Sequence, residues 1–168
     1  MFLRWRSFVV AGIGALSLLG IGTTGAGASP ADRLIEFDSM HAVSGTAEVN
    51  KFNDRGLLGG GAPWSIVSGT GSVDRQGHLS VTVHGLIVVP LGRNPISPFE
   101  AVVSCLTPDG VMNVETTGIF PATKPGGDST INATVDLPHP CKSPEVFVGG
   151  TPGNTFLWFA RSNAESDD

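Results

Sequence analysis

The glycine run at residues 59–61, inside the stretch DRGLLGGGAPW, is the feature of this chain that most suggests a binding site. Consecutive glycines can cradle a phosphate or an oxyanion, but such a cradle leads into a helix and is commonly followed by a lysine. Here the glycines lead towards Trp64, at the start of a predicted strand, so the pattern favours a flexible loop whose tryptophan anchors that strand. If the protein binds a ligand, the predicted contacts are Gly59, Gly60, Gly61 and Trp64.

The spacing of the histidines argues against a transition-metal site. His78 and His84 share one face of a predicted strand, but six residues of about 3.3 Å each place them roughly 20 Å apart, too far to share an ion. His41 and His139 show no ligand spacing of the His-x-His type. We therefore predict solvent-facing histidines, no metal and no cofactor. Calcium bound by loop carboxylates is the alternative, with Asp54, Asp109 and Asp128 as candidates.

Signals for catalysis are weak in this sequence. It contains no Gly-x-Ser-x-Gly elbow, and the presence of Ser, His and Asp does not by itself define a triad. A glycosidase requires two converging carboxylates, and the spacing of the candidate glutamates does not predict convergence. Those candidates are Glu48, Glu100, Glu115 and Glu145. No catalytic residue is predicted, and a role without catalysis is favoured.

The two cysteines, Cys105 and Cys141, predict a disulfide. In an oxidising compartment, an even pair in a small secreted domain most simply forms a bond. The alternative is a reactive thiol, which usually carries a Cys-x-x-Cys or histidine-bearing motif. Neither motif is present, although His139 stands two residues before Cys141. The bond would restrict the unfolded chain by roughly 3.5 to 4 kcal/mol if its effect is entropic.

An N-terminal secretory signal is predicted at residues 1–28. Arg4 and Arg6 precede an apolar segment of about 15 residues, and a small-residue Ala-Gly-Ala cleavage pattern ends at Ala28. A membrane anchor is the less favoured alternative, because a spanning helix needs roughly 20 apolar residues. Cleavage would leave residues 29–168 as a single domain with a short acidic tail, secreted or held at the cell surface.

The charge balance disfavours nucleic acid as a partner. The signal contains two of the 10 basic residues and none of the 15 acidic ones, so residues 29–168 carry a net charge of about −7. The remaining basic residues are spread singly, whereas a nucleic-acid interface needs a basic patch. We expect an unidentified protein, peptide or glycan as the partner, with neither nucleic acid nor a membrane span.

Alternation of apolar and polar residues predicts an all-β domain. In residues 78–84, the odd positions Leu79, Val81 and Val83 are apolar and the even positions are polar, which is typical of a strand with one buried face. Residues 131–137 repeat this pattern. Residues 99–106 are apolar at both odd and even positions, so both faces of the strand would be buried. This predicts a central strand that carries Cys105 into the core.

Turn signals separate about nine predicted strands. They lie near residues 34–38, 43–52, 64–74, 78–89, 99–106, 111–120, 130–137, 145–149 and 156–161. The number and spacing of the strands predict an antiparallel β-sandwich of about 8–9 strands, with a closed β-barrel as the runner-up.

A resemblance to known proteins extends over roughly residues 55–161. It is carried by the stretches 59–64, 71–86, 94–95, 99–105, 120–123 and 137–141 together with Phe147 and Val148. These stretches resemble a group of small secreted bacterial single-domain proteins of unassigned function. The resemblance implies an exported bacterial domain and supplies no catalytic residues.

Binding is the function class that the sequence favours. Long loops on a rigid two-sheet scaffold commonly recognise partners. Trp64 and Trp158 are rings that could stack on a sugar or a peptide, although tryptophan in a β-sandwich more often lies in the core. We expect a binding or structural protein at the cell surface or outside the cell; the alternative is a small secreted hydrolase with a loop-built active site.

Overall fold

The computed structural model describes residues 32–163, so the predicted signal and the last five residues of the acidic tail lie outside the described residues. The described part contains twelve strands, one short α-helix, α1, and two 3₁₀ helices, at Val89–Leu91 and Pro152–Asn154. The strands are β1 (Arg33–Phe37), β2 (Met40–Ala42), β3 (Leu58–Gly59), β4 (Trp64–Ser65), β5 (Ser68–Asp74), β6 (His78–His84), β7 (Ile87–Val88), β8 (Glu100–Thr107), β9 (Gly110–Glu115), β10 (Ser129–Thr134), β11 (Lys142–Gly150) and β12 (Leu157–Ser162). Helix α1 spans Gly45–Glu48.

The strands form two main open sheets and one small one. The four-stranded sheet has the order β1-β5-β6-β10, and the six-stranded sheet has the order β2-β12-β11-β8-β9, with β3 added in parallel to β12. Strands β4 and β7 pair as a separate ribbon. All other pairings within the two main sheets are antiparallel. The chain is an all-β sandwich, and the described sheets do not close into a barrel.

The predicted alternation sets the two faces of the four-stranded sheet. Leu79, Val81 and Val83 are at most 3 % exposed, while His78 and Ser80 on the opposite face are open to solvent. Strand β10 follows the same rule, with Ile131 buried and its neighbours exposed. Because side chains alternate across a strand, this sheet has one core face and one solvent face.

The core lies where the inner faces of the two main sheets meet. Gly69 of β5 approaches Met40 of β2 so closely that an added Cβ would lie 2.6 Å from the Met40 Cγ. On β11, Val146 and Val148 are fully buried. Cys105 is also fully buried, on β8 between β11 and β9, as the sequence predicted for a central strand.

The disulfide prediction is confirmed. Cys105 and Cys141 are bonded, with their Cα atoms 4.9 Å apart and a separation of 36 positions along the chain. Lys142, next to Cys141, pairs with Leu106, next to Cys105, so the bond joins neighbouring strands of one sheet.

The prediction of a strand over residues 43–52 is wrong. The chain instead leaves β2 and forms helix α1. The Glu48 carboxylate accepts a hydrogen bond from the backbone N–H of Ser44 at 2.7 Å, which satisfies a donor at the start of the helix much as a capping box does. This local polar contact outweighs the strand preference of the valines on either side.

Within residues 32–163, no helix is long and apolar enough to cross a membrane.

Candidate functional site

A groove with hydroxyl, amide and carboxylate groups among its lining residues crosses the solvent face of the four-stranded sheet. It consists of two adjoining depressions of about 740 and 470 Å³ that share Ser72 and Ser80. The larger depression reaches β10 at Asn132, and the smaller one reaches the β1 end at Glu36 and Asp38. We call this surface the hydroxyl groove, because serine and threonine hydroxyls supply much of its floor.

The groove is built from cross-strand rows of hydrogen-bonding side chains. Ser72 pairs with Ser80, and Ser80 pairs with Asn132 in the next strand. The Ser80 hydroxyl donates to the Asn132 Oδ1 at 2.8 Å. A second row joins Thr70, Thr82 and Thr130, in which the last two hydroxyls lie 3.4 Å apart. Strands about 4.8 Å apart thus present regularly spaced donors and acceptors.

A histidine and a carboxylate meet at each end of β6. The His78 Nδ1 lies 2.7 Å from the Asp74 Oδ2, and the His84 Nδ1 lies 3.4 Å from the Asp128 Oδ1. Burial raises the pKa of Asp74, but hydrogen bonds and the charge of His78 outweigh it, and the pKa lies below its ordinary value. The backbone N–H of Gly85 leads the effects that lower the pKa of Asp128. Both carboxylates are therefore ionised at neutral pH.

Among the described residues, no nucleophile accompanies these histidines. The Ser80 hydroxyl is engaged with Asn132, and within residues 32–163 no serine, threonine or cysteine side chain hydrogen bonds to a histidine. Covalent catalysis needs a nucleophile within hydrogen-bond reach of its base. The hydrolase alternative has no assembled pair of this kind in the described residues.

The glycine run lies away from the groove and is tightly packed. Gly59 and Gly60 are buried, and Gly61 is exposed. The Gly60 N–H donates to the Trp158 carbonyl at 2.9 Å, which joins the run to β12. The flexibility that the sequence predicted for this loop stays a prediction. An added Cβ would lie 2.1 Å from the Glu48 carbonyl oxygen at Gly59, and 2.7 Å from the Trp64 Nε1 at Gly60.

Trp64 is a core residue. It is 5 % exposed, and its ring stacks on Phe159 with centroids 4.0 Å apart. Trp158 is fully buried and meets Phe147 edge to face. The predicted anchoring of the strand by Trp64 agrees with this arrangement. A ligand contact by Gly59, Gly60, Gly61 or Trp64 stays a prediction, and Gly61 is the member of that set exposed to solvent.

His78, His84 and His139 are exposed to solvent, as the sequence predicted. The side chains of His78 and His84 are 66 % and 59 % exposed. His41 instead contacts Glu48 at 2.9 Å, which helps to place the pKa of Glu48 below its ordinary value although burial raises it. Within the described residues, no three His, Cys, Asp or Glu side chains converge as metal ligands would.

Two of the glutamates converge, which their spacing in the sequence does not predict. The Thr151 hydroxyl lies within hydrogen-bond distance of the carboxylates of both Glu100 on β8 and Glu115 on β9, and it can donate its one proton to either. Burial raises the pKa of Glu115, and the charge of Glu100 raises it further. The two residues face the same side of adjacent strands, a relation that depends on strand pairing and cannot be read from chain spacing.

A loop held by a buried arginine covers the outer face of the six-stranded sheet. We call residues 51–57 the strap. Arg55 is 6 % exposed; its Nη2 donates to the Ser143 carbonyl at 2.8 Å, and its Nε lies 3.5 Å from the Glu145 Oε2. The Asn113 amide donates to the Arg55 carbonyl at 2.9 Å. Burial raises the pKa of Glu145 above its ordinary value, although Arg55 lowers it.

The partly buried Glu145 gives a pH-dependent prediction. Because the pKa of Glu145 is raised in the folded protein, protonation of this side chain favours folding. The stability that protonation contributes is fully present below the ordinary pKa of 4.5 and is lost as the pH rises through the folded-state pKa. We expect wild type to gain stability relative to Glu145→Gln as the pH falls, measured by urea unfolding at a series of pH values. Three carboxylates with a lowered pKa are present in both proteins, so their effect on stability cancels in the difference between the two; they are Glu48, Asp74 and Asp128. A difference that is constant with pH would refute this prediction.

The fold and the groove define an all-β sandwich domain with a polar surface groove and a disulfide. No family model, no curated protein and no solved structure matches this chain. The resemblance to small secreted bacterial proteins therefore stays a prediction.

Proposed function

We propose that this protein is an exported binding domain whose ligand is a neutral glycan, held in the hydroxyl groove outside the cell or at its surface. The observation that carries the proposal is the groove itself, in which rows of hydroxyl, amide and carboxylate groups cross all four strands of one sheet. The disulfide and the N-terminal apolar segment support export, because disulfides persist in oxidising compartments.

A sugar suits this surface because its hydroxyls both donate and accept hydrogen bonds. Ser80 and Asn132 already form one such pair at 2.8 Å, and their remaining donors and lone pairs can serve a ligand. The strands are rigid, so these groups are held in place before binding and lose little entropy on it. Phe37, which lies beneath the groove, is 2 % exposed, so the recognition would depend on hydrogen bonds rather than on ring stacking.

Charge selects against anionic ligands. The groove includes Glu36, Asp38 and Asp74, whereas its one arginine, Arg33, is hydrogen bonded to Glu36. An acidic glycan, a nucleic acid or an anionic lipid would meet like charge here. A neutral polymer would not meet this charge repulsion.

Binding can be tested with a panel of soluble neutral oligosaccharides of different linkage. We expect at least one to raise the melting temperature in a saturable way, because a ligand that binds only the folded state stabilises it. The double variant Ser80→Ala/Asn132→Ala should weaken that affinity by about 30-fold, the loss expected for two neutral hydrogen bonds.

The matched control is Ser65→Ala/Thr117→Ala, which removes two exposed polar groups outside the groove. It should leave the affinity unchanged. An equal loss in both double variants, or a preference of wild type for acidic oligosaccharides, would contradict the proposal.

A further inference from the structure

The outer face of the six-stranded sheet is the second polar region of the molecule, and the strap covers it. Contacts to the strap come from three strands: Asn113 on β9, Ser143 on β11 and Arg161 on β12, whose Nη1 lies 3.7 Å from the Asp54 Oδ1. Ser104, on the intervening strand β8, pairs with Glu145 and faces the same side. The strap thus crosses four neighbouring strands.

Several polar atoms of the strap and of the sheet beneath it are buried without a hydrogen-bond partner in the described part of the chain. In the strap they are the Asn53 Nδ2 and the Arg55 Nη1. In the sheet they are the Ser104 Oγ, the Glu145 Oε2 and the Trp158 Nε1. Ser104 and Trp158 are fully buried, and Arg55 is 6 % exposed. A buried polar group without a partner is costly, whereas most native buried groups are paired. The closed strap is therefore a weakly satisfied arrangement.

The tip of the strap is held together by hydrogen bonds of its own. The Asn53 Oδ1 accepts from the backbone N–H groups of both Arg55 and Leu57 at 2.9 Å, and the Gly56 N–H donates to the Asn53 carbonyl. Its tip could leave the sheet without losing these internal bonds. The groups left behind would be the Glu145 carboxylate, the Ser143 carbonyl and the Ser104 hydroxyl, a set of acceptors that suits a planar guanidinium.

We propose that these acceptors form a binding site for a guanidinium group, that Arg55 fills the site in the free protein, and that an arginine of a peptide partner takes its place when the strap moves away. The net charge of about −7 on residues 29–168 favours such a basic partner. This site lies on the opposite sheet from the hydroxyl groove and does not depend on glycan binding.

Chemical rescue tests whether the site binds guanidinium. Arg55→Met keeps the apolar stem and removes the guanidinium. Ethylguanidinium chloride at millimolar concentration, compared with equimolar sodium chloride, should raise the melting temperature of this variant by about 3 °C and saturate. Wild type should not respond, and Arg55→Met/Glu145→Gln should respond less. An equal response in all three proteins would overturn the proposal. Should Arg55→Met fail to fold, Arg55→Gln takes its place with the same two outcomes.

Displacement of the strap is tested on wild type with a blocked tri-arginine peptide and its citrulline counterpart, which keeps the shape and lacks the charge. The Asn113 side-chain amide, which donates to the Arg55 carbonyl, reports on the strap through its NMR chemical shifts, and the Val103 amide in the core serves as the reference. The arginine peptide should shift the Asn113 side-chain signals and leave the Val103 amide unchanged. Equal shifts with the two peptides would overturn the displacement step.

Discussion

Replacing Cys105 and Cys141 together with alanine should lower the free energy of unfolding by about 2–5 kcal/mol. The bond joins residues 36 positions apart, so its loss raises the conformational entropy of the unfolded chain. The substitution at Cys105 also removes a sulfur atom from a fully buried position. Since ordinary domains are stable by only about 5–15 kcal/mol, the variant should unfold at a distinctly lower urea concentration than wild type.

Reduction of wild type by dithiothreitol provides the control. The reduced protein should unfold at nearly the same urea concentration as the alanine variant, since both lack the crosslink. Midpoints for oxidised wild type and the variant that coincide would show that the disulfide does not stabilise this domain.

Gly59→Ala should destabilise the protein by about 3 kcal/mol, at the upper end of ordinary overpacking. The added methyl would lie 2.1 Å from the Glu48 carbonyl oxygen, which also accepts a hydrogen bond from the Lys51 backbone N–H. Relief would require helix α1 to move away from β3. Thermal or urea unfolding of the purified variant measures the loss.

Gly61→Ala is the matched control within the same glycine run. Its nearest neighbour would be the Asn50 Oδ1 at 3.5 Å, an ordinary contact, so stability should change by less than about 0.5 kcal/mol. Equal losses at the two positions would contradict a packing role for Gly59. A loss of glycan affinity in Gly61→Ala, with stability unchanged, would instead confirm the glycine run as a ligand contact.

Much of the fold could be predicted because strand signals in this chain are local. The alternation in β6 fixes which side chains face solvent, and the observed burial agrees residue by residue. Helix α1 was missed because its signal is a single contact from Ser44 to Glu48, four residues apart, inside a segment flanked by valines. The sequence did contain that pair, so a search for capping carboxylates could have found it.

The groove and the strap could not be predicted, because both depend on which strands pair. Alternation places Ser80 and Asn132 on outward faces, but their residue numbers differ by 52 and only the pairing of β6 with β10 joins them. Arg55 and Ser143 are separated by 88 positions. The composition of the glycine run suggests a binding loop, yet its role in the fold is to permit the close approach of backbone and aromatic rings.

Chemical-shift mapping tests the central claim most directly. The neutral oligosaccharide that gives the largest thermal shift would be titrated into ¹⁵N-labelled protein, and the amides would be followed by NMR. We predict that the perturbed amides cluster at the hydroxyl groove, around Ser72, Ser80 and Asn132. Perturbations centred instead on residues 59–64, or spread without a cluster, would contradict a glycan site in the groove.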